Sequence, residues 1–352
     1  MDNKVIFWLD ELDRKDIYRV GQKCAFLAEM VQIGLPVPSG FVLSIQAFQR
    51  FMKETGAGAE VVGYLSASGE MLKDLRQVEE TSRYIHESID KREVPQEVRH
   101  EVEASYKKLS EQHGAKEIPV AVRSSGLASH PGLFDTYLNV KGSSELIQRA
   151  KDCWAGVFSP RAIATRAREG LATQIEPIAV GVQKMIPARS AGVLFTADPI
   201  TNDPSTVVVE ASWGLGESVA QAKVTPDEFV VDKETLRIKK KSIGQKICQV
   251  VAVEQGTRIE EVPREKQATP CLNDEELIEL VKLAKLVELH YGGIPQDIEW
   301  AVDAGLPSPK NLFLTQARPV IKPSPGTSKF DKPVGKSDAE HVAELLIEHL
   351  YR

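Results

Sequence analysis

Four residues near the C-terminal end of the sequence have the types and spacing to hold a metal ion and a phosphate. Asp297 and Glu299 stand two apart in QDIEWAVD, and Gln316 and Arg318 stand two apart in the next apolar segment, NLFLTQAR. In an extended chain, residues two apart share one face, so Ile298 and Trp300 point the other way. If the two segments pair as strands, two carboxylates, an amide and a guanidinium converge. Carboxylate and amide oxygens suit Mg²⁺, and a guanidinium suits phosphate. The same residues would serve equally as a salt-bridge ladder on a half-exposed sheet.

Three other segments have a phosphate-binding character. Lys23, in YRVGQKCAFLAEM, follows a glycine at a helix start. There an ammonium and a helix N-terminus can meet a phosphate together; a solvated surface lysine is the plain alternative. Arg123 ends the apolar strand IPVAVRS and leads into SGLASHPGLFDT. The N–H groups of such a Ser/Gly-rich loop can cover phosphates, although an ordinary flexible connection has the same composition. His130 lies in this loop, but no carboxylate close in sequence would orient it as a nucleophile. Gly214-Leu215-Gly216-Glu217 lies between a buried strand and a helix-like segment. It fits a turn touching a nucleotide, but lacks the third glycine and the βαβ setting of a dinucleotide fingerprint.

The elements that must position these residues follow from periodicity. Apolar positions at helical spacing run over 20–33, with Gly34 and Pro36 beyond. GFVLS is a short buried strand, and residues 59–113 read as mostly helical, with Pro95 opening one helix and Gly114 closing it. IPVAVRS and YLNV are extended. Two helices follow, the second beginning at Ser159-Pro160 and ending at Gly170. The period then changes to short β-branched strands: IAVGVQKM, AGVLFTA, TVVVEAS, DEFVVD and LRIKKKS. A long helix opens at Asn273 with Glu276 in a capping-box pattern. Two final strands are joined by a turn containing Asp303-Ala304-Gly305. Residues 322–337 read as a Pro/Gly/Ser/Lys linker, and 338–352 as a terminal amphipathic helix with Val342, Leu345, Leu346 and Leu350 in an apolar stripe.

Composition sets the class. A chain of 352 residues suggests about two domains. With 42% hydrophobic and 27% charged residues it has ordinary globular composition, which excludes collagen-like and wholly disordered readings. A net charge of -6 argues against a general nucleic-acid binder. No apolar run approaches the roughly 18 residues of a membrane helix, and the N-terminus has neither a signal nor a transit pattern. The expected location is cytoplasmic. Cys24, Cys153, Cys248 and Cys271 are scattered with no CxxC spacing and read as reduced thiols. The seven histidines form no HExxH or HxH pair, so hard cations on carboxylates are the metals to expect.

Taken in order, eleven segments resemble the N-terminal ATP-grasp nucleotide-binding domain of the phosphoenolpyruvate synthase, pyruvate phosphate dikinase and rifampicin phosphotransferase family. They are VGQKCAFLAEM, GLPVPSGFVLS, VAVRSS, PGLFDTYLNV, FSPRAIATR, VQKM, AGVLFTADP, WGLGESV, PDEFVV, PQDIEW and LTQARPV. The resemblance implies an α+β ATP-grasp fold of two lobes with ATP between them. Residues 1–190 would form the N-terminal lobe with a helical insert, and 191–321 the C-terminal lobe with the metal site. Lys23 and Arg123 would hold ATP phosphates, with Gly132 and Thr136 as further nucleotide contacts. Glu299 and Gln316 would bind Mg²⁺, Asp297 would support the metal–phosphate site, and Arg318 would hold phosphate oxygens. Gln183 and Met185 would lie by the adenine, and Glu217 near the nucleotide. Lys23, Arg123, Asp297 and Arg318 would carry the catalysis.

The resemblance further implies that ATP is split into AMP, phosphate and a phosphohistidine, with positive groups and metal stabilising the developing charge. Two departures stand out. The chain has Gly21-Gln22-Lys23 where the family usually has Gly-Gly-Lys, and the loop after VRSS is shorter than in the synthases and closer to the dikinase version. A TSHAA-like histidine motif is absent from the sequence. The expectation is therefore that a larger partner subunit carries the histidine and the acceptor site, or that the chain is a piece of a longer protein. The size and ending fit the ATP-binding subunit of phenylphosphate synthase, with phenol as acceptor. A split phosphoenolpyruvate synthase acting on pyruvate, and a non-catalytic ATP-sensing module, are the alternatives. An ATP-grasp ligase forming an acyl phosphate would release ADP instead. Neither nucleic acid nor a membrane is expected as a partner, and the terminal helix is a candidate for docking on the partner subunit.

Overall fold

The computed structural model describes residues 4–127, 135–220 and 224–320. Over these residues the chain forms two compact units, one from residues before 29 with 39–185, the other from 29–38 with residues from 186 onward. Among the described residues the fold is α+β.

The first unit begins with β1 (Ile6–Trp8) and α1 (Ile17–Gln32), whose last residues are counted with the second unit. It continues through β2 (Gly40–Leu43), α2 (Ile45–Glu54), α3 (Ala57–Ser68), α4 (Leu75–Asp90), α5 (Gln96–Gln112), β3 (Val120–Ser125), β4 (Thr136–Val140), α6 (Ser143–Gly156), α7 (Pro160–Arg168) and β5 (Ala179–Lys184). The strands make an antiparallel sheet in the order β1-β2-β5-β3-β4. One core joins this sheet to the helices. Trp154 is fully buried at its centre, 5.0 Å from the Phe51 ring and edge-on to Phe48. The helix signals act as the sequence indicates at Ser159, whose Oγ accepts from the Ala162 N–H with Pro160 just inside the helix. Pro95 sits one place earlier than expected, as the capping residue before α5.

The second unit comprises β6 (Ala188–Phe195), β7 (Thr206–Trp213), α8 (Glu217–Ala220), β8 (Asp227–Asp232), β9 (Ile238–Ser242), β10 (Cys248–Ala252), β11 (Thr257–Glu261), α9 (Arg264–Gln267), α10 (Asp274–His290), β12 (Gln296–Asp303) and β13 (Leu312–Pro319). Its main antiparallel sheet runs β13-β12-β6-β7-β8-β9. Asn273 and Glu276 form the expected capping box at the start of α10, which packs on β12 and β13. The edge strand β9 carries Lys239, Lys240 and Lys241, each paired with a carboxylate: Asp232, Glu228 and Asp274. On the opposite edge, the Leu314 N–H donates to the Pro36 carbonyl at 2.8 Å.

Among the described residues, β1, α2, α9 and the β10–β11 pair were not anticipated from periodicity. β1 is only three residues long. β10 and β11 form a separate hairpin in the stretch between β9 and α10. Its alternating CQVVAVEQGTRIEE text, with Gly256 at the turn, is the signal that would have revealed it. The expected linker 322–337 and terminal helix 338–352 lie outside the described residues. Among those described, no helix is long and apolar enough to cross a membrane.

Candidate functional site

In the second unit, β12 and β13 pair antiparallel with Asp297 opposite Arg318 and Glu299 opposite Gln316. Ile298 and Trp300 are fully buried, while Asp297 and Glu299 face partly outward. A bulge interrupts the ladder at Glu299/Trp300, so that Trp300 pairs with Leu314 and Thr315 is the extra residue. Without it, simple alternation would put Leu314 on the same face as Gln316 and Arg318. The bulge instead turns Leu314 into the core and leaves Gln316 and Arg318 beside the two carboxylates.

The contacts across the strands are direct. Arg318 grips one oxygen of Asp297, with Nη2 at 2.6 Å and Nε at 2.7 Å from Oδ2. The arginine side chain remains 40% exposed, which leaves guanidinium N–H groups open to an anion. Gln316 Nε2 donates to Glu299 Oε1 at 3.1 Å. Burial pushes the Asp297 carboxyl above its ordinary pKa; Arg318 opposes the shift and Glu299 adds to it. The Glu299 carboxylate and the Gln316 amide are hard oxygen donors on adjacent strands. Turned over, the amide would present its oxygen beside the carboxylate, and Mg²⁺ accepts one or two such protein ligands alongside phosphates. The residues present therefore fit Mg²⁺.

In the first unit, the chain breaks its helix at Gly21, with φ 71° and ψ 168°, and starts it again at Gln22. A Cβ on Gly21 would stand 2.1 Å from the Ser125 carbonyl oxygen, so only glycine fits both the dihedral and the space. The new helix start is tied to the end of β3: Gln22 N–H donates to Gly126 O at 2.8 Å, and Cys24 N–H to Ser125 Oγ at 3.1 Å. Lys23 stands between these two bonds. Arg123 is the cross-strand partner of Thr136 on one side and Gly181 on the other. Burial pushes the Cys24 thiol up to about 11, against the lowering effect of its Ser125 hydrogen bond and of the nearby Lys23 and Arg123 charges. Lys23, Arg123 and Thr136 thus gather at one end of the sheet. Gln183 is buried further along β5, opposite Ala121 and Gly40, and the Met185 N–H donates to Pro119 O at 3.0 Å. Gly132 lies outside the described residues.

Glu217 opens α8 after the turn Trp213-Gly214-Leu215-Gly216. This turn is held from several sides. Gly214 N–H donates to Arg189 O at 3.0 Å, Leu215 N–H to Val250 O at 2.8 Å, and Trp213 Nε1 to Lys266 O at 3.1 Å. Thr257 Oγ1 lies 3.5 Å from Glu217 Oε2. Gly214 has φ 75°, and a Cβ there would stand 2.3 Å from Val250 O. Sequence reasoning singled out Lys23, Arg123 and Glu217 as candidates but not the residues that hold their backbone turns, Ser125, Val250 and Thr257. Ser125 had a legible signal in the VRSSG text; the other two required the hairpin.

Residues 17–333 match the family described as pyruvate phosphate dikinase, AMP/ATP-binding domain. The chain is similar to a probable phosphoenolpyruvate synthase of Staphylothermus marinus, 39% identical over 346 residues that cover 90% of this chain and 41% of the relative. It is 38% identical to a probable phosphoenolpyruvate synthase of Methanocaldococcus jannaschii, covering 98% of this chain and 29% of that one. To the phosphoenolpyruvate synthase of Aeropyrum pernix it is 36% identical, over 99% of this chain and 46% of that protein. The chain thus spans less than half the length of these curated relatives. By its matched residues, it belongs to the pyruvate phosphate dikinase AMP/ATP-binding domain family, and it is an ATP-binding domain of α+β fold.

Proposed function

We propose that this chain is the ATP-using part of a dikinase-type phosphotransferase of the phosphoenolpyruvate synthase kind. The observation that carries this reading is the paired cross-strand set Asp297–Arg318 and Glu299–Gln316, two oxygen donors beside a partly exposed guanidinium. Glu299 and Gln316 would hold Mg²⁺, which supplies charge neutralisation at the phosphates. Arg318, kept in place by Asp297, binds phosphate oxygens. Lys23 and Arg123 bind phosphates from the first unit's sheet end, with Gly132 and Thr136 as neighbouring contacts. Gln183 and Met185 contact the adenine, and Glu217 lies near the nucleotide.

In the proposed reaction a histidine nitrogen, on another domain or subunit, attacks the β-phosphorus. The bond to the α–β bridging oxygen breaks and AMP leaves. Water then takes the γ-phosphoryl as inorganic phosphate, which leaves the β-phosphoryl on histidine for a small acceptor. Lys23, Arg123 and Arg318 stabilise the charge that develops on the phosphate oxygens. The relatives' names support pyruvate as that acceptor. Phenol, the acceptor expected from the size and ending of the chain, finds no support in the names of these relatives. The composition and the family together suit a cytoplasmic enzyme.

The test uses ATP labelled at the β-phosphate, Mg²⁺, and this chain with and without a cell extract supplying the histidine-bearing partner. Transfer of label to a second polypeptide with formation of AMP, followed by transfer to pyruvate, supports the reading. ATP binding with no transfer under any condition would favour a nucleotide-sensing module, and ADP as product would favour a ligase. In the supported case, Glu299→Ala or Arg123→Ala should lower transfer by about 10²–10³-fold while the circular dichroism spectrum stays unchanged. Undiminished transfer in either variant would remove that residue from the site.

A further inference from the structure

Asp227, within the PDEFVV segment, and Lys246 form an ion pair with both side chains fully buried, Nζ to Oδ1 at 2.5 Å. The carboxylate also accepts from Gly244 N–H at 3.0 Å and, through Oδ2, from Cys271 N–H at 2.9 Å. The ammonium gives a second bond to Gly244 O at 2.9 Å, and the Lys246 N–H donates to Gln267 O at 2.9 Å. A buried ion pair is a poor source of net stability, because desolvating two charges offsets most of their attraction. What it does supply is a fixed arrangement. Here it fixes residues 244–247, which run between the ends of two strands with no ladder of their own.

Those residues lead directly into β10. Four positions after Lys246, the Val250 carbonyl accepts from Leu215 N–H at 2.8 Å and presses on Gly214. On the returning strand, Thr257 approaches Glu217. The hairpin is therefore the structural link between the buried pair and the glycine turn. We propose that Asp227 and Lys246 are positioning residues that set the Gly214–Glu217 turn for nucleotide binding, acting through the β10–β11 hairpin. This rests on the reading of that turn as a nucleotide contact. Neither residue touches the nucleotide in this account; the pair fixes the root of the hairpin, and the hairpin holds the turn.

The double variant Asp227→Asn/Lys246→Met removes both charges at similar volume and tests the pair without leaving an unpaired ion. Its melting temperature should fall by roughly a few degrees, because the amide offers one acceptor oxygen where the carboxylate served the Gly244 and Cys271 N–H groups with two. Its Kd for Mg-ATP, measured by calorimetry on the full chain, should rise about tenfold, and the Leu215 amide should exchange with deuterium at least about tenfold faster, the scale of one lost hydrogen bond. Amides in β12 should speed up clearly less than that of Leu215. Equal ATP affinity together with equal Leu215 exchange overturns the inference. If the double variant does not fold, the wild type alone decides: across a denaturant series, the Lys246 and Leu215 amides should open together as one cooperative unit. A Leu215 amide that opens well before Lys246 overturns the linkage. A wild-type chain that binds no Mg-ATP at all would instead sink the functional reading, and the exchange series would still report on the linkage.

Discussion

Asp297 is the residue at which charge and burial compete most visibly. Burial raises its carboxyl pKa, and the adjacent Arg318 only partly compensates. Between the ordinary value of 3.8 and the raised one, the folded chain binds more protons than the unfolded chain. Stability contributed by this group is therefore full at low pH and lost as pH rises through that window. Asp297→Asn should abolish this component. The difference in denaturation midpoint, variant minus wild type, should grow with rising pH across the acidic range and then level off. A difference that shrinks instead would mean that Arg318 outweighs burial. The alternation that puts Asp297 and Glu299 on one face was plain in QDIEW, because a strand's period of two needs no tertiary information. The facing of Gln316 and Arg318 was only half legible. One extra residue in a bulge leaves the local text unchanged but reverses every side chain beyond it. Asp227 and Lys246 were not legible at all, since isolated charged residues in a sequence read as surface.

At the scale of elements, two local irregularities position the chemistry. The first is the bulge. Inserting one residue between Glu299 and Trp300 would give Thr315 a partner and restore a regular β12–β13 ladder, and alternation would then force either Trp300 and Leu314 out of the core or the Asp297, Glu299, Gln316 and Arg318 face into it. The expected result is loss of ATP binding with a destabilisation of at least about 2 kcal/mol, read by calorimetry and urea unfolding. Normal binding after the insertion would mean that the ladder absorbs the change elsewhere. The second irregularity is the break at Gly21. Gly21→Ala must place a Cβ against the Ser125 carbonyl at a positive φ. We expect a cost of more than about 2 kcal/mol and weakened phosphate binding, because the Lys23 turn is displaced from β3. The helix itself was readable from its apolar spacing. Its contact with Ser125, 101 residues from Cys24, was not, because nothing local encodes which strand end a helix start will meet. The β10–β11 hairpin escaped notice for a different reason: its returning strand is polar and mostly exposed, so the alternation begun in β10 continues only faintly after Gly256.

At the scale of the whole molecule, each unit carries its own sheet and its own part of the proposed nucleotide contacts. A ligand that binds only the folded chain stabilises it by mass action. Mg-ATP at about a hundred times its Kd should add about 2.7 kcal/mol, an upward shift of roughly 2–4 °C in Tm. No shift at saturating Mg-ATP would contradict the assignment of nucleotide contacts to this chain. The same sheet has a consequence outside catalysis. Its last strand, β9, ends in open backbone groups, and three successive lysines occupy most of its length. Their carboxylate partners neutralise them within the chain, yet each ammonium still demands water, and any strand laid alongside would have to strip it away. The second unit can therefore keep an unfinished sheet in a crowded solution without recruiting neighbours, and the protection belongs to hydration more than to net charge.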